Sequence, residues 1–544
     1  MGDRAVLVEL ADLPSTLGFF DALRAADLRG INEAISAART VLVKFSPQTI
    51  SAGELTEFLT SLQVSESAAG AGRAVEIPVR YLGEDLAEVA ELLGISIPEL
   101  VRRHTGSPYR VAFGGFAPGF AYLTGGDPIL NVPRRATPRH RIPAGSVGLA
   151  GTFSGVYPRE SPGGWQLIGE TDLAMWDLTR DPPATLQPGD SVHFVDVGTT
   201  GIRTESVGEI QFVAEESRLA SETGEQNKES ENSPEPVTQA VEIIHPGSQA
   251  LLQDDGRPGM AGLGVAESGA VDRVSLHAAN RLVGNEPGEA AMEFAYGGKI
   301  RAIGELVVAV SGAVANVEVT LRSGRVISFN TPEPIALGDG EILELKPTWG
   351  MYNYLAARGG FEAIQVLDSR SSDTMSGIGP TPLVQGSVQR VRVVDAPGPA
   401  VGNPETWLYE GQSSIVELPI ILGPRDDWFT VEAIETLLSQ PWRVTPRSNR
   451  VGLRLEGETA LERLVTQELP SEGAVPGALQ VPASGQPVLF LADHPVTGGY
   501  PVVAVLHSDA LGIAAQLTPG TTIKFVESDQ PSSSRVSAVL GASS

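Results

Sequence analysis

The chain has 544 residues, of which 39 are Lys or Arg and 66 are Asp or Glu, so its formal net charge is −27. Such a charge repels nucleic acid and anionic membrane surfaces, and neither is expected as a partner. The absence of Cys excludes disulfides, thiolate catalysis and zinc sites of the cysteine type. No apolar run approaches the ~20 residues that a bilayer span needs, and the N-terminus lacks a signal-peptide pattern. We therefore expect a cytoplasmic protein of several domains.

Residues 1–76 have the pattern of a small α/β domain. Strand-like segments alternate there with amphipathic helical ones: Ala5 to Leu10, Leu17 to Ala26, Thr40 to Phe45 and Ala52 to Leu62. Residues 77–213 begin with a strand and two helices and continue as short apolar segments that Gly and Pro interrupt at regular intervals. The whole chain has 61 Gly and 40 Pro. This composition and spacing predict a mainly β fold with a barrel at 77–213.

Residues 214–238 are predicted to be an acidic, disordered linker. Between positions 215 and 235 there are seven Glu against Arg218 and Lys228, with few apolar side chains. Such a segment buries too little surface to offset its ordering entropy. Residues 531–544, which are rich in Ser, are predicted to be a flexible tail.

The two sides of the linker contain the same elements in the same order. In each half a Pro-Ala pair precedes a Gly-Gly-aromatic turn, and a Pro-Gly turn then leads into a final alternating strand. The copies are Pro143, Gly163 to Trp165 and Leu186 to Phe194 in the first half, and Pro482, Gly498 to Tyr500 and Leu517 to Phe525 in the second. This order predicts a duplicated barrel module. The second half is accordingly divided into a first part at 239–405 and a β-barrel at 406–530.

Several common nucleotide, metal and cofactor motifs are absent from the sequence. The single Gly-Lys pair, Gly298-Lys299, is followed by Ile300, so there is no phosphate-binding P-loop. The His residues form no His-Glu-x-x-His motif, and no metal site is predicted. No Lys has Met as a neighbour, so the chain is not expected to carry biotin itself.

Motifs in the first half resemble the B subunit of bacterial ATP-dependent 5-oxoprolinase, also called the allophanate hydrolase subunit 1 or Kip-inhibitor type. They are Phe113 to Leu123, Pro133 to Arg135, Pro138-Arg139, Pro143 to Ser146 and Ser161 to Thr171. Motifs in the second half are similar to the C subunit of the same enzyme, the allophanate hydrolase subunit 2 or Kip-antagonist type. They are Gln253 to Arg257, Ser268 to Asp272, Ala279 to Asn285, Glu293, Leu355 to Gly360, Ser369 to Asp373, Gly477 to Pro482, Asp493 and Thr497 to Pro501.

The resemblance implies a natural fusion of the B and C subunits, with cyclophilin-like barrels as in the carboxyltransferase domain of urea carboxylase. It implies hydrolysis of 5-oxo-L-proline to L-glutamate with ATP and Mg²⁺. It also implies a separate LamB/YcsF-type A subunit, without which the chain is expected to be inactive, and it leaves a homo-oligomer open.

A small anionic lactam and ATP call for cationic side chains, backbone N–H groups and an aromatic wall. Residues predicted to bind them are Phe116, Pro118, Arg134, Arg139, Arg141, Ser161, Gly163, Gly164, Trp165, Asn280, Arg370, Gly498, Gly499 and Tyr500. Asp254, Asp272 and Arg257 are the catalytic candidates, with one of the acids orienting water. The alternatives are a solvated basic loop for the arginines, a helix N-cap for Asp272 and a structural ion pair between Asp254 and Arg257.

Two other functions stay open at this point. One is the carboxyltransferase component of a biotin-dependent urea or amide carboxylase, which would need a separate biotinylated partner. The other is regulatory, because proteins of the B-subunit type are similar to an inhibitor of a sensor histidine kinase. An inhibitor fused to its own antagonist makes this second alternative less attractive.

Overall fold

The computed structural model describes residues 1–63, 72–135, 137, 139–198, 239–393, 401–409, 411 and 413–528. The predicted linker and the predicted tail lie outside these residues. The helices of the described ranges are α1 (Leu13–Ala26), α2 (Ala52–Ser61), α3 (Leu86–Leu93), α4 (Ile97–Gly106), α5 (Arg273–Val283), α6 (Val431–Ser439) and α7 (Leu511–Ala515). Among these described segments, every helix is too short or too polar to cross a bilayer.

The N-terminal unit is a three-stranded antiparallel sheet covered by α1 and α2. Its strands are β1 (Ala5–Glu9), β2 (Ile31–Ser36) and β3 (Thr40–Phe45), in the order β1-β3-β2. Asp12 caps α1 by accepting from the Ser15 N–H, and Ser51 and Glu54 form a capping box at α2. Both helices bury apolar side chains, Phe19 and Leu55 among them, against the sheet.

The first barrel consists of the next nine strands. They are β4 (Ala74–Val79), β5 (Tyr109–Gly114), β6 (Ala121–Thr124), β7 (Arg139–Ile142), β8 (Ser146–Ala150), β9 (Phe153–Val156), β10 (Ser161–Gly163), β11 (Gln166–Glu170) and β12 (Ser191–Asp196). Seven of them form a sheet in the order β11-β8-β9-β6-β5-β12-β4, and β7 pairs with β10. A bridge between Arg80 and Glu170 brings the two edges of the sheet together. The last strand, β12, runs parallel to β4 and antiparallel to β5.

A nine-stranded sheet follows the linker. Its strands are β13 (Ala240–His245), β14 (Gln249–Gln253), β15 (Ala291–Ala295), β16 (Gly298–Ile303), β17 (Leu306–Thr320), β18 (Val326–Phe329), β19 (Ile335–Leu337), β20 (Ile342–Ala357) and β21 (Val388–Arg390). The long strands β17 and β20 pair with each other, and α5 packs on both. Helix α5 begins where Asp272 caps it and ends at Gly284, whose φ of 72° suits Gly.

The second barrel is closed. Its strands are β22 (Ile415–Leu422), β23 (Trp442–Val444), β24 (Gly452–Glu456), β26 (Ala478–Gln480), β27 (Val488–Phe490), β29 (Val502–Leu506) and β30 (Thr522–Glu527). Strands β25 (Glu472–Gly473) and β28 (Thr497–Gly498) form a small separate pair. The final strand, β30, runs parallel to β22 and antiparallel to β23. Strand β12 has the same relation to β4 and β5, so the topology repeats. The predicted mainly β fold with cyclophilin-like barrels in both halves is confirmed.

The two halves meet at the loop between β5 and β6. The Gly119 N–H donates to the Leu263 carbonyl at 2.9 Å, and the Phe116 N–H donates to Thr497 Oγ1 at 3.1 Å. At Gly264, which has a φ of 75°, a Cβ atom would lie 2.3 Å from the carbonyl oxygen of Ala117. Backbones this close require Gly, so the sequence is adapted to the contact between the halves.

The N-terminal sheet also contacts the second half. Lys44 lies 2.8 Å from Glu33 and 3.7 Å from Glu267. Glu33 in turn accepts from the Ala261 N–H at 3.0 Å. The first 200 residues are therefore attached to the second half through both of their units.

Candidate active site

Asp254, one of the predicted catalytic acids, joins two loops of the second half. Its carboxylate accepts from the Gly256 N–H at 2.8 Å, from Ser369 Oγ at 2.6 Å and from the Arg370 N–H at 2.5 Å. The side chain of Arg370 is partly buried and makes no ion pair with a residue that the structure describes. Asp254 thus fixes the Ser369 to Asp373 segment beside the end of β14.

Arg257, the predicted catalytic cation, lies beneath the same segment and is 1% exposed. Its Nη2 donates to the Ser371 carbonyl at 2.5 Å, and its Nε to the Val366 carbonyl at 3.5 Å. Nη1 is buried without a hydrogen-bond partner among the described residues. Burial lowers the pKa of Arg257, and this effect is opposed chiefly by the charge of Asp373. No direct ion pair joins Arg257 to Asp254 within the described residues.

A fully buried network of ion pairs adjoins the region around Arg257 and the Ser369 to Asp373 segment. Arg450 lies 3.0 Å from Asp493 and donates to the Gly269 carbonyl at 2.6 Å. It also pairs with Glu293. Burial disfavours the charge of Arg450, but Asp493 and Glu293 raise its pKa above the usual value. Burying these charges has a large desolvation cost, which the attraction between Arg450 and its two carboxylate partners and their hydrogen bonds offset.

Two buried carboxyl groups, Asp373 and Asp493, have pKa values that move apart. Burial and the negative charge of Asp493 raise the pKa of Asp373. Burial would also raise the pKa of Asp493, but Arg450 more than compensates and lowers it. Paired acids with such opposed environments are typical of acid-base sites, although structural networks have them too.

The first half contributes the loop around Phe116 and the residues after β9. Phe116 has a φ of 64°, a backbone conformation that is rare for an aromatic residue. Its ring lies 6.0 Å from that of Tyr157. Burial lowers the pKa of Arg159, two residues after Tyr157, and the charge of Asp373 opposes this effect. The loop around Phe116 lies at the contact between the halves, where the Phe116 N–H donates to Thr497 Oγ1 at 3.1 Å.

The arginines predicted to converge on one cleft have separate acidic partners. Arg139 lies 2.7 Å from the buried Asp85, which Arg135 also contacts at 2.5 Å. Arg141, 77% exposed, lies 2.6 Å from Glu160. These contacts do not support the predicted binding role of Arg139 and Arg141, because acids of the same half already pair with them.

Arg134 differs from its neighbours because it reaches the second half. Its Nε lies 3.0 Å from Glu468, and a Cβ atom at Gly499 would lie 3.4 Å from its Nη1. The predicted loop from Gly498 to Tyr500 thus approaches the first half here. Tyr500 is 44% exposed, and the Arg463 guanidinium lies 5.8 Å from the centre of its ring.

The segment from Ser161 to Trp165 does not fit the predicted nucleotide site. Trp165 is 6% exposed and lies in an aromatic core with Phe120 and Tyr157. At Gly163 a Cβ atom would lie 2.4 Å from the Tyr157 hydroxyl. The carbonyl of Gly164 accepts from the Arg135 N–H, and Ser161 donates to the Arg159 carbonyl at 3.0 Å. The indole thus has no open face for stacking, and Pro118 is buried as well.

Asp272 and Asn280 lie within the core of the second half. Asp272 caps α5 and accepts from Ser275, from the Tyr409 hydroxyl at 2.8 Å and from Gln516 Nε2 at 2.9 Å. Burial raises its pKa. Asn280 donates to the carbonyls of two residues, Pro287 and Glu289. These contacts favour the helix N-cap alternative for Asp272 and do not support a binding role for Asn280, since the protein itself occupies their polar atoms.

The part of the chain that the structure describes contains no group of three or more His, Asp or Glu side chains suited to holding a metal ion.

Comparison with known proteins divides the chain in the same way as the fold. The model for the carboxyltransferase domain, subdomain C and D, matches residues 1–186, and that for subdomain A and B matches residues 263–527. The chain is 41% identical to the B subunit of 5-oxoprolinase from Escherichia coli O157:H7 over 204 residues, which are 36% of this chain and 93% of the relative. It is 32% identical to the C subunit of 5-oxoprolinase from Escherichia coli K12 over 304 residues, 53% of this chain and 91% of the relative.

A solved structure extends the similarity over both halves. The crystal structure of TTHA0988 matches with a TM-score of 0.79 and 32% identity, covering 96% of this chain and 99% of that one. The chain therefore belongs to the carboxyltransferase-domain family, whose members include the B and C subunits of 5-oxoprolinase and the urea amidolyases. Within that family it combines a B-like and a C-like part in one polypeptide.

Proposed function

We propose that the chain is the combined B and C component of an ATP-dependent 5-oxoprolinase. With a separate LamB/YcsF-type A subunit it hydrolyses 5-oxo-L-proline to L-glutamate in the cytoplasm, where ATP and Mg²⁺ are available. ATP supplies the driving force. The amide oxygen takes the γ-phosphoryl group as ADP leaves, water adds to the activated carbon and the ring C–N bond breaks, and a second water releases phosphate to give L-glutamate. Without the A subunit the chain is inactive.

One observation carries this proposal. A single chain matches nearly all of the B subunit of a 5-oxoprolinase and then nearly all of the C subunit of another. The contacts between its halves support it, because Gly264 packs directly on the Ala117 backbone. A substrate site between the halves explains why both parts are needed in one component.

Reconstitution tests the proposal. ADP and glutamate release are measured with 5-oxo-L-proline and ATP for the chain alone, for the A-type subunit alone and for both together. Both products are expected in equal amounts, and only from the mixture. Release of ADP without glutamate, or no release from the mixture, would contradict the proposed function.

A second candidate is transfer of a carboxyl group from carboxybiotin to urea or another amide. The description of the matching family as a carboxyltransferase domain favours it. It requires a separate biotinylated carrier, and the expected result is loss of label from ¹⁴C-carboxybiotin carrier only when urea is present. The same carrier assay with 5-oxo-L-proline separates the two functions, because the first proposal needs no biotin.

A further inference from the structure

Arg450 lies just before β24 in the second barrel, and its side chain is 2% exposed. Its Nε and Nη2 each lie 3.0 Å from an oxygen of Asp493, which follows β27 in the same barrel. Its Nη2 also donates to the Gly269 carbonyl at 2.6 Å, and its Nη1 pairs with Glu293 on β15. One guanidinium group therefore joins the second barrel to two segments of the nine-stranded sheet unit.

The two acids that pair with this guanidinium group also hold the loop at 268–272. Asp493 accepts from Ser268 Oγ at 2.7 Å. Glu293 accepts from the Val271 N–H at 3.2 Å. Together with the carbonyl contact described above, the network binds this loop at three of its five residues. A loop that is bound at so many points has its backbone position set by the network.

This loop in turn packs on the backbone of the candidate site. The Ala270 N–H donates to the Asp254 carbonyl at 2.9 Å, and the Arg257 N–H donates to the Glu267 carbonyl at 2.8 Å. At Gly269, whose φ is 83°, a Cβ atom would lie 2.8 Å from the Asp254 carbonyl oxygen. Backbones packed this closely cannot shift independently of each other. A displacement of the loop therefore displaces both catalytic candidates.

Asp493 also holds the other segment of the candidate site. It accepts from the Thr374 N–H at 3.0 Å and from Thr374 Oγ1 at 2.5 Å. Thr374 directly follows the Ser369 to Asp373 segment, whose first two residues bind the Asp254 carboxylate. The pair of Arg450 with Asp493 is thus bonded to both segments that surround Asp254.

We propose that Arg450 is a positioning residue, which holds the loop at 268–272 and Thr374 and thereby places Asp254 and Arg257 for catalysis. It acts through these segments, because all three of its guanidinium nitrogens already bind the protein. A Lys in its place keeps the charge but has a single donor nitrogen, which cannot span the same partners. That the placed groups act in catalysis rests on the proposed function.

The experiment measures amide hydrogen exchange by mass spectrometry for the full chain. The variants are Arg450→Lys, Thr374→Val and the matched control Arg425→Lys. Arg425 also belongs to the second half and has an 11% exposed side chain, but it pairs with Glu472 and Glu9 at the contact with the N-terminal unit. Melting temperatures are recorded for all proteins, and kcat and KM for 5-oxo-L-proline are measured with the A-type subunit.

Arg450→Lys is expected to speed exchange in peptides that cover 268–272 and 369–374 about tenfold or more, because charge-assisted hydrogen bonds to both segments are lost. Its kcat should fall by about tenfold or more with a smaller change in KM, since small displacements of catalytic groups slow the chemical step. Arg425→Lys should speed exchange around Glu472 and leave the two segments as in the wild type.

Thr374→Val keeps the size of the side chain and removes one hydrogen bond to Asp493. It is expected to speed exchange at 369–374, to lower kcat less than Arg450→Lys does and to leave the melting temperature unchanged. If Arg450→Lys does not fold, this variant decides in its place.

Unchanged exchange at both segments, or faster exchange with a normal kcat, would overturn the positioning role. Equal losses of kcat in Arg450→Lys and Arg425→Lys at equal melting temperatures would overturn it too, because general destabilisation would then explain both. Failure of the proposed function gives a different result, which is no glutamate release from the wild-type mixture. The exchange measurement needs no turnover, so it then decides alone whether Arg450 holds the two segments.

Discussion

At the scale of single residues, arginines only a few positions apart in the chain make different contacts. The sequence places Arg139 and Arg141 in one basic loop. Arg139 instead pairs with Asp85, which is 2% exposed and also accepts from the Leu167 N–H at 2.7 Å. Arg141 is exposed and pairs, among the residues that the structure describes, with Glu160. Their contributions to stability should therefore differ.

Arg139→Ala is expected to lower the free energy of unfolding by about 1–3 kcal/mol, since it removes a charged partner from a buried carboxylate that keeps Arg135. Arg141→Ala is the matched control and should change stability by less than about 0.5 kcal/mol. Urea unfolding at neutral pH measures both. Equal effects of the two substitutions would show that the pair with Asp85 adds nothing to folding.

At the scale of elements, local patterns predicted most of the strands and helices of the first 110 residues. The two helices predicted at the start of residues 77–213 are α3 and α4. Strand β2 was missed because its segment, Ile31–Ser36, mixes polar and half-buried residues and lacks a clear alternation. Barrel closure also has no local signal, since the parallel pair β4 and β12 joins residues more than a hundred positions apart.

Sequence patterns are also insufficient to predict the candidate site. Asp373 and Asp493 lie in motifs that carry the family resemblance. The raised pKa of Asp373 depends on burial and on Asp493, the lowered pKa of Asp493 depends on Arg450, and only the fold brings these residues together. Residue type and spacing therefore do not predict these electrostatic environments, because they depend on packing between residues far apart in the sequence.

A buried histidine makes the first barrel sensitive to acid. His104, on α4, lies 2.7 Å from the Tyr81 hydroxyl and 2.9 Å from Ser154 Oγ. Burial lowers its pKa from 6.5 to about 3. Unfolding exposes the imidazole ring, which then binds a proton more readily than in the folded state. The free energy of unfolding is therefore unaffected by His104 protonation above pH 6.5 and decreases progressively as the pH falls toward 3.

Between pH 7 and pH 5 this effect should cost about 2 kcal/mol of unfolding free energy, at about 1.4 kcal/mol per pH unit below 6.5. His104→Gln keeps a polar side chain between Tyr81 and Ser154 but does not titrate. Its stability is expected to be lower at pH 7 and to fall less steeply with acidity. Denaturant unfolding at several pH values compares the two slopes, and parallel curves would rule out His104 as the source.

At the scale of the whole molecule, the backbone contact between the halves gives a direct test of their packing. Gly264→Ala places a methyl group 2.3 Å from the Ala117 carbonyl oxygen, whereas Gly259→Ala, at a similar positive φ of 81°, meets nothing within 4 Å. Both variants bear the backbone strain of Ala at positive φ, about 1 kcal/mol. Only Gly264→Ala should push the backbones of the two halves apart, so its melting temperature is expected to fall further than that of the control Gly259→Ala. Equal shifts would mean that the loop yields without cost.

Cleavage of the predicted linker at 214–238 should leave the two halves associated. The reason is that their contact includes backbone hydrogen bonds, such as Gly119 to Leu263, and the ion pair of Arg425 with Glu9, at 2.9 Å. In the E. coli relatives the corresponding parts are separate subunits, so the linker would supply effective concentration and not the contact itself.

Limited proteolysis followed by size exclusion at micromolar concentration is expected to give one peak that contains both fragments. High salt should weaken only the exposed ion pairs of this contact. Fragments of Gly264→Ala should bind each other more weakly than fragments of Gly259→Ala, and should therefore dissociate after less dilution. Wild-type fragments that elute apart would show that the linker, and not the packing described above, holds the halves together.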